Sequence, residues 1–215
     1  MIRALVFDFD GLILDTETAT IDAYESVHRR HARPFSRQLA QEAVGRVELH
    51  FDPWQAFGES ADRVALERER LAENHAIVAR QAALPGVIAC LQAARRLGLR
   101  IGLASNSSHD HVERHLARIG LASYFEYLRC IEDVAAGKPA PDLYRAVVEK
   151  FGVPAAQAVA FEDSAHGVQA AKAAGLWCVA VPGPSSVHHD LSQADLTLAS
   201  LADCPLAELL ARFGP

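Results

Sequence analysis

Leu5-Val6-Phe7-Asp8-Phe9-Asp10-Gly11-Leu12-Ile13-Leu14-Asp15-Thr16-Glu17 decides the fold of this chain. The stretch reads as a buried β-strand, about residues 3–9, that releases two carboxylates, Asp8 and Asp10, at its C-terminal end and then turns on Gly11. Side chains at i and i+2 line one face of an extended chain, so the two acids share a side and repel each other. A cation is expected between them. Ligands of open α/β sheets bind beyond the carboxyl ends of the strands, which makes this strand end a candidate site.

Working outward, Asp15 or Thr16 can cap a helix over about 17–32, and a second helix is expected over about 36–44. Gly45 opens a less regular stretch to Glu59, and a charged helix follows over about 61–82. From Leu84-Pro85-Gly86 onward the text changes to strand and helix in alternation. Strands are expected at 100–104, 127–131, 158–161 and 177–181, with an edge strand near 196–198 and a short terminal helix. Pro141 can occupy the first position of one of the intervening helices. Such alternation predicts an α/β fold, a doubly wound, Rossmann-like parallel sheet covered on both faces, built from residues 1–15 and 84–215. Residues 16–83 are then a small inserted α-helical cap.

Half of the 215 residues are apolar and 22% are charged, which permits a sizeable core and argues against disorder. The formal net charge of −6 gives no reason to expect a nucleic-acid or acidic-membrane partner. Cys90, Cys130, Cys178 and Cys204 are far apart and flanked by apolar residues, as core thiols are, so a reducing, cytoplasmic setting is expected. A signal sequence has no room ahead of the first strand, and no run reaches the ~18 apolar residues of a membrane span. A monomer or weak dimer is expected.

Four polar groups fall at strand ends or in the loops just after them: Asp8 with Asp10, Ser105 with Asn106, Lys138, and Glu162 with Asp163. In a doubly wound sheet those loops share one edge, so the groups can converge although they are distant in sequence. The donors are oxygens without histidine, which favours Mg²⁺ over zinc. The loop Ser105–Ser108 precedes a helix whose free N–H groups suit a phosphate oxygen. Ser105 adds a hydroxyl and Lys138 a point charge. Carboxylates left over after metal binding are what covalent phosphoryl transfer needs: one attacks phosphorus, and a second exchanges protons with the leaving alcohol and with water. The expected partner is therefore a small-molecule phosphomonoester.

Asp8-Phe9-Asp10-Gly11-Leu12-Ile13-Leu14-Asp15-Thr16-Glu17, Leu103-Ala104-Ser105-Asn106-Ser107, Gly137-Lys138-Pro139-Ala140-Pro141-Asp142 and Phe161-Glu162-Asp163-Ser164-Ala165-His166-Gly167 resemble, in order, the four motifs of the haloacid dehalogenase-like hydrolases. The resemblance is to the branch with a small helical cap, which holds sugar-phosphate phosphatases, phosphoglycolate phosphatases and β-phosphoglucomutases. It implies Asp8 as nucleophile and Asp10 as acid/base. It also implies Mg²⁺ held by Asp8, the Asp10 backbone carbonyl and Asp163, with Glu162 beside them. Ser105 and Lys138 would hold the phosphoryl group, joined by Gly11 and Asn106 in the phosphate loops, and Arg46 could reach a substrate anion from the cap.

Dehalogenases of that superfamily lack the second aspartate and the metal, so Asp10 with Glu162 and Asp163 favours phosphate chemistry. β-Phosphoglucomutases carry a histidine where this chain has Thr20, and a cap arginine where, if Gly45 is the matching glycine, this chain has Glu48. Hydrolysis is the expectation and isomerisation of a phosphosugar the alternative; a non-catalytic, receiver-like phosphate-binding module is a third reading. His111 and His115 stand at i, i+4 near His109 with no third metal ligand evident, so the surface is their expected place. Phe51, Trp54 and Phe57 are expected in the cap core, His50 and Arg46 are candidates for specificity, and His188-His189 falls in a polar loop.

Overall fold

The computed structural model describes residues 1–42 and 51–213. Gly45, Arg46, Glu48 and His50 lie outside the described residues. Six parallel strands form one sheet: β1 (Ala4–Phe7), β2 (Arg100–Ala104), β3 (Tyr127–Arg129), β4 (Ala158–Glu162), β5 (Trp177–Ala180) and β6 (Leu196–Thr197). Their spatial order is β3-β2-β1-β4-β5-β6. Because β1 pairs with β2 on one side and β4 on the other, with Val6 between Gly102 and Ala160, it is buried along its whole length.

The helices are α1 (Thr16–Arg30), α2 (Arg37–Glu42), α3 (Arg63–Val78), α4 (Val87–Arg96), α5 (His109–Arg118), α6 (Asp142–Phe151), α7 (Ala165–Ala173) and α8 (Leu206–Leu210). The two-residue period of β1 sorts the layers. Leu5 and Phe7 meet apolar side chains of α4, α5 and α8, while Ala4 and Val6 meet those of α6 and α7. The sheet is thus covered on both faces, as strand and helix alternation predicts.

Element ends depart from expectation where side chains cap the backbone. Asp62 Oδ1 accepts from Ala65 N at 3.0 Å, so α3 begins at Arg63 rather than near Ala61. β3 stops at Arg129 because Asp133 Oδ2 accepts from Cys130 N at 2.9 Å and turns the chain. Pro141 sits just before α6 instead of in its first turn. The Asp15 cap is as expected, its Oδ1 accepting from Thr18 N at 3.2 Å.

Between β1 and α4 the chain runs through α1, α2 and α3. α1 packs on α3 around Val27, Trp54 and Leu66, with Tyr24 and Phe57 against them. Trp54 stacks on His28 at 5.4 Å and meets Phe57 edge-on, so its indole belongs to this apolar cluster. The two ends of the helical block touch: Leu84 N donates to Ile13 O at 2.9 Å, and Gln81 Nε2 donates to Asp15 O at 2.8 Å. Arg118 on α5 donates to the carbonyls of Ala79 and Gln81 at 3.2 and 2.8 Å.

Leu91 on α4 is fully buried in the core and carries no polar group. Truncation to alanine is expected to cost about 2–5 kcal/mol through lost transfer energy and the cavity left behind. For a chain of this size the melting temperature should fall by roughly 5–15 °C, measured by circular dichroism on wild type and Leu91→Ala side by side.

Candidate active site

The two acids at the end of β1 take different partners. Asp8 is still extended, its N–H donating to Phe161 O at 3.0 Å across to β4. Phe9 then plunges into the core, and Ile13 N returns to Phe9 O at 2.9 Å. Gly11 makes this turn at φ +81°, a conformation that L side chains rarely adopt. A Cβ there would also stand 2.2 Å from Asp163 Oδ2, so glycine is required twice over. Gly11 thereby lets the β1 turn close onto the acid that follows β4.

The Lys138 ammonium is 4% exposed and lies between Asp8 and Glu162, bonding Asp8 Oδ1 and, at 2.5 Å, Glu162 Oε1. Tyr144 on α6 donates its hydroxyl to the same Glu162 oxygen. Glu162 closes β4 with no exposed surface, and α7 approaches it so closely that a Cβ on Gly167 would fall 1.9 Å from the Glu162 carboxyl carbon. Asp163 Oδ2 accepts from Ser186 Oγ at 2.9 Å, and Glu17 on α1 accepts from Ser185 Oγ at 3.2 Å.

The Asn106 side chain is bonded within the protein. Its Oδ1 accepts from Lys138 N at 2.7 Å and its Nδ2 donates to Lys138 O at 3.1 Å, so the side chain clamps the loop that delivers the lysine. Ser105, buried, accepts from Ser107 N at 3.0 Å and points its hydroxyl to Asp10 Oδ2 at 3.4 Å. Ser108 caps α5 by accepting from His111 N at 3.3 Å.

Asp10 faces α5 and α1 rather than Lys138. Its Oδ1 accepts from Thr16 Oγ1 at 2.5 Å and pairs with His111 Nε2 at 2.8 Å; its Oδ2 accepts from Ser107 Oγ at 2.6 Å. The expectation that His111 and His115 lie on the surface is overturned. His111 turns inward to Asp10, and His115 is buried against Phe9, because the polar side of α5 closes over the β1 turn. Burial, followed by the charge of His111, pushes His115 down to about 4, so it stays neutral near pH 7. Tyr144, Ser186, Thr16 and Ser107 also contact these acids, and the charge of Glu17 acts on them. Thr16, Ser107 and Glu17 stand inside the motifs quoted above, whereas Tyr144 and Ser186 left no signal because their contacts arise only from helix and loop packing.

The electrostatics divide the acids into two groups. Burial raises Asp8 well above the carboxylate range; Lys138 opposes this, while Glu162, Asp163 and Asp10 add to it. Asp163 is raised by burial and then by Glu17 and Glu162, with Ser186 and Lys138 partly offsetting them. Glu17 is pushed up to about 8, first by burial and then by Asp10 and Asp8. Asp10 goes the other way: burial favours its neutral form, but the His111 hydrogen bond and charge and the Ser107 and Thr16 donors hold it below its usual value.

Asp8, Glu162 and Asp163 each offer an oxygen within 4.8 Å of the others. Crowded buried carboxylates with hard oxygen donors are the chemistry that Mg²⁺ takes, and a divalent cation relieves the repulsion that one lysine leaves. The donor set therefore fits magnesium.

A comparison across curated proteins finds YhcW of Bacillus subtilis, 39% identical over 98% of this chain and 97% of that protein. Hexitol phosphatase B of Escherichia coli K12 is 31% identical, covering 97% of both chains. Among solved structures, CbbY of Rhodobacter sphaeroides in complex with phosphate is 30% identical with a TM-score of 0.72, covering 94% of this chain and 96% of that one. The family model described as haloacid dehalogenase-like hydrolase matches residues 2–175, and with the relatives above it establishes that this chain belongs to the haloacid dehalogenase-like hydrolase family.

Proposed function

We propose that this chain is a Mg²⁺-dependent phosphatase that hydrolyses a small phosphomonoester, a sugar phosphate or similar metabolite, through a phosphoryl group carried on Asp8. The observation that carries this reading is the buried triad Asp8, Glu162 and Asp163 with the Lys138 ammonium between two of them. Hexitol phosphatase B supports the ester class. When bound by Asp8, the Asp10 backbone carbonyl and Asp163, with Glu162 adjacent, Mg²⁺ supplies positive charge that offsets repulsion between a carboxylate nucleophile and a phosphate dianion.

The rest is done by the chain itself. Asp8 attacks phosphorus, the bond from phosphorus to the ester oxygen breaks, and the Asp10 carboxyl, protonated in the substrate complex against the pull of its donors toward the anion, gives that oxygen its proton. Water then attacks phosphorus, Asp10 takes the water proton back, and the Asp8 carboxylate and phosphate are released. Lys138 and Ser105 hold the phosphoryl oxygens, and the Lys138 charge opposes the burial that favours the neutral Asp8 carboxyl. The helical block of α1 to α3 acts as a cap over the strand ends, where closure excludes bulk water. No helix among the described residues is long and apolar enough to cross a membrane, and four free thiols suit a reducing cytoplasm.

Hydrolysis is favoured over isomerisation by Thr20, which stands where β-phosphoglucomutases have histidine. Its hydroxyl donates to Thr16 O at 3.0 Å and accepts from Asn74 Nδ2 at 3.0 Å, so no imidazole is there to handle a sugar proton.

A panel of phosphomonoesters with Mg²⁺, including β-glucose 1-phosphate, tests the reading. Phosphate should be released from at least one member, with no glucose 6-phosphate formed; a silent panel would sink the phosphatase assignment. Chelation should abolish turnover and added Mg²⁺ should restore it. Asp8→Asn is expected to lose on the order of 10⁴-fold or more in kcat, as removal of a nucleophile does, and to trap no phosphoenzyme in acid-quenched samples. Asp10→Asn should slow both steps by about 10² to 10⁴-fold while keeping Mg²⁺ affinity near wild type by titration calorimetry. Equal loss of Mg²⁺ affinity in both variants would contradict this division of roles.

A further inference from the structure

Asp10 is held from three directions. Thr16 reaches it from the start of α1, in the helical block; Ser107 comes from the loop after β2; His111 comes from the first turn of α5. These donors differ in stiffness. A serine or threonine hydroxyl rotates about its bond to carbon and follows the acceptor, whereas an imidazole nitrogen has its direction fixed by the ring.

The His111 ring is itself pinned. It meets Phe9 edge-on at 5.7 Å and 88°, and meets His115 edge-on at 4.7 Å and 72°. His115 is buried and lies flat against Phe9 at 6.4 Å. The backbone N–H of His111 is tied to the Ser108 cap. Phe9 is the residue between the two aspartates, so the packing that fixes the imidazole is the same packing that fixes the turn carrying Asp10. His111 also belongs to the sheet-packed part of the chain, whereas Thr16 opens the block whose movement the proposed closure requires.

We propose that His111 is a positioning residue for the proton-transfer steps, its Nε2 holding the Asp10 carboxyl in the orientation from which it serves the leaving oxygen. The inference rests on Asp10 being the acid/base of the proposed reaction. It concerns direction: with alanine in place of His111, the hydroxyls of Thr16, Ser107 and Ser105 remain, and the Asp10 carboxyl can rotate with them.

Leaving-group dependence separates this role from a packing role. An alkoxide needs a proton as it departs, whereas p-nitrophenolate leaves without one, so misaiming Asp10 penalises formation of the phosphoenzyme only for the alkyl ester. kcat/KM is to be measured for His111→Ala and His111→Gln with p-nitrophenyl phosphate and with the alkyl phosphomonoester that wild type turns over fastest. His111→Ala is expected to lose on the order of ten-fold or more with the alkyl ester, a part of the 10² to 10⁴-fold that acid/base catalysis supplies, and less than about three-fold with the aryl ester. His111→Gln, which can place an amide N–H near the same point, should recover most of the loss. Equal losses on both esters, or no loss on the alkyl ester, overturn the proposal. Asp10→Asn is run beside them. If it lacks the same alkyl-selective loss, the assignment of Asp10 fails, and the positioning role with it; if it shows that loss and His111→Ala does not, only the positioning role fails.

Discussion

The Lys138 ammonium, enclosed between Asp8 and Glu162, is the contact on which the rest of this structure depends. Removing a charged amine from water costs several kcal/mol and is tolerated only with close partners and satisfied protons. Those partners come from different places. Asp8 follows β1, Glu162 ends β4, and Tyr144 rises from α6 to bond the same carboxylate. Asn106, after β2, grips the Lys138 backbone on both sides. One buried cation therefore fixes three strand ends and a helix relative to each other, and any substrate anion arriving there meets a rigid wall.

Two aspartates separated by one residue end in opposite environments. Asp8 sits among other buried acids and is raised; Asp10 is surrounded by donors and is lowered. Phe9 between them enters the core, and the Asp10 carboxylate meets the imidazole of His111 on α5. Asp10 still counts among the charges that raise Asp8, while their hydrogen-bond partners differ, Lys138 for Asp8 and the imidazole and hydroxyls for Asp10.

Much of this was legible in the sequence because strand ends are local. Alternation of strand and helix predicted a parallel sheet, and a parallel sheet puts Asp8, Ser105, Lys138 and Asp163 along one edge whatever the loops do. Less legible was anything that depended on how a helix face is turned. His111 and His115 carry the same spacing as a solvated histidine pair, and only the docking of α5 over Phe9 distinguishes them. Tyr144 reads as one more apolar position of an amphipathic helix, and its hydroxyl acquires meaning only when Glu162 lies beneath it. Asn106 was legible as a polar residue in the right loop but not in its partner, since Lys138 lies on a loop far along the chain. Ser186 reaches Asp163 from the segment after β5, which has no repeating pattern to read.

The hydrogen bond from Leu84 N to Ile13 O joins the point where the chain leaves the sheet layer to the point where it re-enters. The gap that α1 to α3 bridge is therefore already closed before those helices are counted, and the sheet around β1 and β2 does not depend on what is threaded between them. A segment attached in this way can change in length or composition at little entropic cost to the remainder, since loop closure grows only slowly with loop length. Ile13 and Leu84 thus form a graft junction: the piece between them can be exchanged while the contacts around Lys138 stay as they are.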